Sequence, residues 1–167
     1  MKIFLITLTF LLALILQTTA VSFLSFLDVS PNLILILVLL LIILKDFKNV
    51  WWIVILIGFF MDLFSGIPFG TISLSLVLSS YLIDWLNRTI FSATKFWMII
   101  ALVGIGVLSY NLMLIIFSKF FILIGMDSMI FSYNLTSRII IEVIYNSFFA
   151  ILIFYAIKKI FYKEANA

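Results

Sequence analysis

The sequence predicts an all-α fold, a polytopic bundle of six transmembrane helices, on three observations. Of the 167 residues, 66% are hydrophobic and 10% charged, with a mean hydropathy of +1.41, whereas a soluble domain carries roughly 25% charged residues. The apolar residues fall in runs separated by short polar stretches, and six spans of about 20 residues each nearly exhaust the chain. Lysine and arginine are distributed unevenly among those stretches.

The first span covers residues 3–27. Lys2, an apolar run and the small residues Thr18-Thr19-Ala20 resemble a signal peptide, but 25 residues without a charge fit a retained helix better. The second span, 31–45, opens at Ser30-Pro31-Asn32, read as a serine N-cap followed by proline at the first helical position, where its missing N–H costs nothing. The third, 48–64, follows the loop Lys45-Asp46-Phe47-Lys48-Asn49. Both are short, so each is expected to borrow flanking residues or to form a tight helical hairpin with the other; a re-entrant pair is the alternative. Ser65, Gly66, Pro68 and Gly70 read as a turn before the fourth span, 67–86. The fifth covers 96–118 and the sixth 138–158. With no repeat, linker or low-complexity tract, residues 1–167 read as one membrane domain.

Orientation follows from charge, because Lys and Arg are retained in short cytoplasmic loops. With the N-terminus inside, cytoplasmic segments hold Lys2, Lys45, Lys48, Arg88, Lys95, Lys158, Lys159 and Lys163, and external segments only Lys119 and Arg138. Eight against two places both termini in the cytoplasm. Trp51, Trp52, Trp85 and Trp97 fall near the cytoplasmic ends, where amphipathic rings sit at headgroup level.

Cysteine and histidine are both absent, which removes disulfides, thiolate nucleophiles, imidazole bases and nearly every structural zinc site. Asp62 and Asp84 could be cast as a proton-sharing dyad, which needs carboxylates about 3 Å apart, but a full bilayer crossing separates them. Lipoprotein signal peptidases, of comparable length, use such a dyad within asparagine-containing motifs that this sequence lacks. A rhomboid-type serine hydrolase needs a histidine, and metal-dependent phosphotransfer needs clustered acids. No catalytic residue, cofactor or metal is expected. The net charge of +3 reads as a topology signal and implies no nucleic-acid partner.

A charge at a helix centre costs about 2.5–3.5 kcal/mol on insertion scales, so Asp62, Asp84 and Glu142 each ask for a reason. Gly58 and Asp62 are four apart, on one helical face, with Gly66 and Gly70 continuing the interval. Gly58 allows close helix approach; Asp62 is expected either to accept from exposed backbone N–H groups, capping the next helix, or to contact a partner or ligand. Arg138 and Glu142, also four apart, have ion-pair spacing. Asn146 lies one turn deeper, and with Asn111 and Gln17 is expected to hydrogen-bond between helices. Asp84, Asn87 and Arg88 read as a polar cluster at the membrane surface.

This order of features resembles the MreD family of rod-shape-determining proteins. The most specific piece is Gly58-x-x-x-Asp62-x-x-Ser65-Gly66-x-Pro68-x-Gly70, then Pro31-Asn32 opening the second span, and then Asn146 before Lys158-Lys159. Between Arg88 and Phe131 the resemblance rests on hydropathy and length. It implies an inner-membrane component of the bacterial wall elongation machinery that binds MreC directly and works with MreB, RodA and a class B penicillin-binding protein, a transpeptidase. It carries no catalytic residues. It also implies a fold similar to the substrate-binding subunits of energy-coupling-factor transporters, which makes a vitamin-type small-molecule subunit the rival expectation. The third and fourth spans, with the turn Ser65 to Gly70, are expected to form the surface that holds a single-span partner such as MreC.

Overall fold

The computed structural model describes residues 13, 15, 17, 19, 29–90, 96–125 and 135–165, with backbone alone at 96, 135–138 and 156–165. All regular structure among the described residues is helical: α1 Leu33–Lys45, α2 Phe47–Ser65, α3 Thr71–Thr89, α4 Phe96–Leu123 and α5 Leu135–Ala165. Of the expected first span, 3–27, only Ala13, Ile15, Gln17 and Thr19 are described, all helical.

α1 sits at the centre and touches each of the other four helices. Its sequence, LILILVLLLIILK, has one polar residue, the last. A helix apolar on every side belongs in a core or in lipid; here Leu35, Ile36, Val38, Leu39, Leu40 and Ile42 are at most 1% exposed, while Leu33, Leu37 and Leu41 are half-buried along one stripe. The surrounding layer includes Val54 of α2, Leu76 and Ile83 of α3, Leu102, Val103 and Val107 of α4, and Ala150 of α5. Gly106 lets α4 come close, since a Cβ there lies 2.7 Å from a Leu39 methyl and 3.3 Å from Ile83.

Of the two expectations for the second span, the borrowing of flanking residues does not occur. α1 has 13 residues, about 20 Å of helix, against a hydrocarbon core of about 30 Å. Its start also moves: Asn32 is the N-cap, its side chain accepting the Leu35 N–H at 3.0 Å. Pro31 therefore precedes the cap, and Ser30 does not serve as one. An asparagine caps as well as a serine, and here it lies immediately before the helical run.

A single residue, Asp46, joins α1 to α2 with φ +64°, and its N–H bonds Ile42 O at 2.9 Å. α2 then packs chiefly along α3, and α3 along α4. Among the described residues, two helices are long and apolar enough to cross a membrane, Phe47–Ser65 and Trp97–Leu123. α3 matches α2 in length but is diluted by Ser73, Ser75, Ser79, Ser80 and Asp84. Several of those hydroxyls bond back within the helix: Ser75 Oγ donates to Thr71 O at 2.6 Å, and Ser79 Oγ to Ser75 O at 2.7 Å. α4 and α5 run past the expected limits of 118 and 158. Trp51, Trp52, Trp85 and Trp97 are all exposed, near the start of α2, the end of α3 and the start of α4.

Candidate functional site

The polar side chains gather at three junctions, each at a helix N-terminus whose first N–H groups lack partners in their own helix. The first is the start of α3. Gly70, at the N-cap with φ +96°, has no side chain to offer, and Asp62 of α2 takes its place. Oδ1 accepts the Ile72 N–H at 2.8 Å; Oδ2 accepts the Ser73 N–H at 3.0 Å and the Ser73 hydroxyl. Asp62 is 4% exposed. A carboxylate suits this place because the helix N-terminus carries partial positive charge.

Gly58 makes that reach possible. It lies one turn before Asp62 on the face toward α3, where a Cβ falls 2.7 Å from the Ser73 Cα. The intervening turn is tied locally. Ser65 Oγ donates to Asp62 O at 3.0 Å, Gly66 closes α2 with φ +69°, and Thr71 Oγ1 donates to Pro68 O at 2.6 Å. Gly58, Asp62, Ser65, Gly66, Pro68 and Gly70 thus form one unit, the α2–α3 connection.

The second junction is the other end of the same helix pair. Asp84, near the end of α3 and 6% exposed, accepts the Phe47 N–H that opens α2 at 2.9 Å. Arg88 grips the same carboxylate through Nε at 3.0 Å and Nη2 at 3.1 Å, and stands 3.9 Å from Asp46. Asn87 Nδ2 donates to Ile43 O, in the last turn of α1, at 3.3 Å. The two helices therefore cap each other reciprocally: Asp62 from α2 caps α3, and Asp84 from α3 caps α2. Asp62 meets α3 at Ile72, twelve residues before Asp84, about 18 Å along the axis, so the two carboxylates share no proton.

The third junction is the start of α1. Asn146 of α5, fully buried, accepts the Asn32 N–H on Oδ1 at 2.8 Å. Gln17 accepts the Leu33 N–H at 2.8 Å and donates to Pro31 O at 3.2 Å. From Asn146 the network continues to Glu142 at 3.5 Å, and Asn111 of α4 donates to the other Glu142 oxygen at 3.1 Å. Pro31, Asn32, Glu142 and Asn146 come together here. The expected Arg138–Glu142 ion pair involves a side chain outside the described residues.

The sequence had placed Asp84 in a surface cluster and missed its cap on α2. Asp46, at the N-cap position of α2 with φ +64°, makes no side-chain cap bond of its own. Gly106 was also missed, because a lone glycine in an apolar helix carries no pattern. Among the described residues no three acidic side chains gather as metal ligands; the chemistry at all three junctions is the holding of helix ends. No family model, curated protein or solved structure matches the chain.

Proposed function

We propose that the chain is a non-enzymatic inner-membrane scaffold of the bacterial wall elongation machinery. In this reading it crosses the membrane six times with both termini cytoplasmic, binds MreC, and helps maintain rod shape. The resemblance of the Gly58 to Gly70 stretch to the MreD family motivates it, and the charge asymmetry supports the orientation.

The observation that carries the reading is the two-sidedness of α2. Val50, Val54, Gly58 and Asp62 form its buried edge, while Ile55, Leu56, Phe59, Phe60 and Leu63 are 43–54% exposed. The helix is committed on one side and free along a broad apolar face on the other. Phe59 also stacks edge-on against Phe69 of the turn, ring centres 5.2 Å apart, which extends the face to the end of the hairpin. Helix association in lipid depends on van der Waals packing, because lipid tails are as apolar as leucine, so a partner helix would have to bring small residues to fit this ridge of large side chains. Gly58 and Asp62 act on such a partner indirectly, by holding α2 against α3.

The test replaces Leu56 and Phe60 together by alanine and recovers complexes from membranes. Loss of MreC at unchanged abundance of the variant supports the proposal; undiminished co-purification counts against it. Depletion separates the scaffold from the vitamin-subunit alternative: rods round up if the chain is a wall scaffold, and stay rods, with the nutrient supplied, if it is a transporter subunit.

A further inference from the structure

Glu142 is the acidic side chain at the start of α1, and both its oxygens face amides. Oε2 accepts from Asn111 Nδ2 at 3.1 Å and Oε1, at the longer distance of 3.5 Å, from Asn146 Nδ2. A side-chain amide can turn over and present oxygen where nitrogen was. Backbone groups hold both of these the present way round. Asn146 Oδ1 accepts the Asn32 N–H at 2.8 Å, so turning it sets NH2 against N–H. Asn111 Nδ2 also donates to Val107 O at 3.0 Å, so turning it sets oxygen against a carbonyl. Position 142 thus faces two fixed donors. A carboxylate meets both with charged acceptors, whereas a carboxylic acid keeps one carbonyl acceptor and leaves the other amide a neutral hydroxyl oxygen, a weaker acceptor.

We infer that Glu142 is a protonation-sensitive latch on the N-terminus of α1. Ionised, it fixes Asn111 of α4 and Asn146 of α5 together, and through Asn146 it fixes the Asn32 N–H. Protonated, it weakens its hold on one of the two amides, and the α1 start loosens. The latch is therefore engaged while the carboxylate is ionised and is lost as pH falls. α5 packs on α4 and α1. Titratable groups on α4 are Tyr110, beside Asn111, and exposed Lys119 two turns on; α1 has Lys45, at its far end. On α5 itself Arg138 precedes Glu142 by one turn, its side chain outside the described residues, and Tyr145 follows. The inference rests on the hydrogen-bond geometry alone and is independent of the scaffold reading.

The test uses the full chain in lipid nanodiscs. Infrared difference spectra between alkaline and acidic buffer should show the carbonyl band of a buried carboxylic acid in the wild type and lose it in Glu142→Gln. Hydrogen exchange over residues 30–36, corrected for the intrinsic effect of pH, should rise several-fold on acidification in the wild type. In the variant it should be raised already and respond little. Asn111→Leu, which removes one donor from the α4 side, should likewise raise exchange and blunt the response if Glu142→Gln fails to fold. Carbonyl intensity that is the same in Glu142→Gln as in the wild type overturns the inference, as does corrected wild-type exchange that is unchanged by pH.

Discussion

α1 and α2 follow one another with one residue between them, yet the bundle treats them oppositely. α1 is buried on every side but the narrow stripe of Leu33, Leu37, Leu41 and Leu44, and ends short of a bilayer's thickness; α2 is long enough to cross and is buried along one edge only. Their N-termini differ as well. α2 receives a carboxylate bound by an arginine at an exposed end, whereas α1 receives neutral amides, Asn32, Asn146 and Gln17, from three places in the chain. The caps do not differ in burial, since Asp84 is itself 6% exposed; they differ in what balances them. Arg88 neutralises the Asp84 carboxylate at the start of α2, whereas at the start of α1 the caps are uncharged and Glu142 reaches them only through Asn146.

The largest effect is expected where two backbones meet. Gly58→Leu places bulk against the Ser73 main chain, which cannot rotate away, and should cost about 3 kcal/mol, at the upper end of overpacking. Gly106→Ala meets only side chains, the tip of Leu39 and, less closely, Ile83, and should cost about 1 kcal/mol. Thermal unfolding in detergent measures both, and equal losses would erase the distinction between the α2–α3 contact and the α1 contact.

Next comes Asn146→Leu, which leaves the Asn32 N–H and Glu142 without a shared partner. Stranding a buried polar group costs about 1–3 kcal/mol, and a loss of about 2 kcal/mol in the same assay is expected. Asp62→Ala should lose about 2 kcal/mol, the upper range for a cap, with Asp62→Asn recovering part of it through one retained acceptor. Asp84→Ala should cost only about 1 kcal/mol, because the exposed surroundings of Arg88 allow water to serve the Phe47 N–H. Ser80 sets the lower bound. Its buried hydroxyl has no hydrogen-bond partner among the described residues, so Ser80→Ala should change stability by less than about 0.5 kcal/mol or raise it.

Those differences also mark what the sequence could say. The capping role of Asp62 was legible because Gly58, Asp62, Gly66 and Gly70 announce a close contact followed by a turn within thirteen residues. The shortness of the second span was legible too, from where its polar flanks fall. Its central position was not: in LILILVLLLIILK every face looks alike, and nothing distinguishes protein neighbours from lipid. Asn146 was read as glue between helices, but its partner Asn32 lies 114 residues away, and no spacing rule reaches that far. The Asp84 cap was not legible either, because Phe47, whose N–H it accepts, lies 37 residues before it.

The contrast between α1 and α2 is most directly measured by lipid exposure. The chain has no cysteine, so single substitutions report without background: Leu35→Cys, Leu39→Cys and Ile42→Cys on α1, against Ile55→Cys, Phe59→Cys and Leu63→Cys on α2. With the folded protein in bilayers, a lipid-soluble thiol reagent should modify the three α2 positions readily and leave the three α1 positions untouched until unfolding. Modification of Leu39→Cys at the rate of Phe59→Cys would place α1 against lipid and contradict the bundle described above.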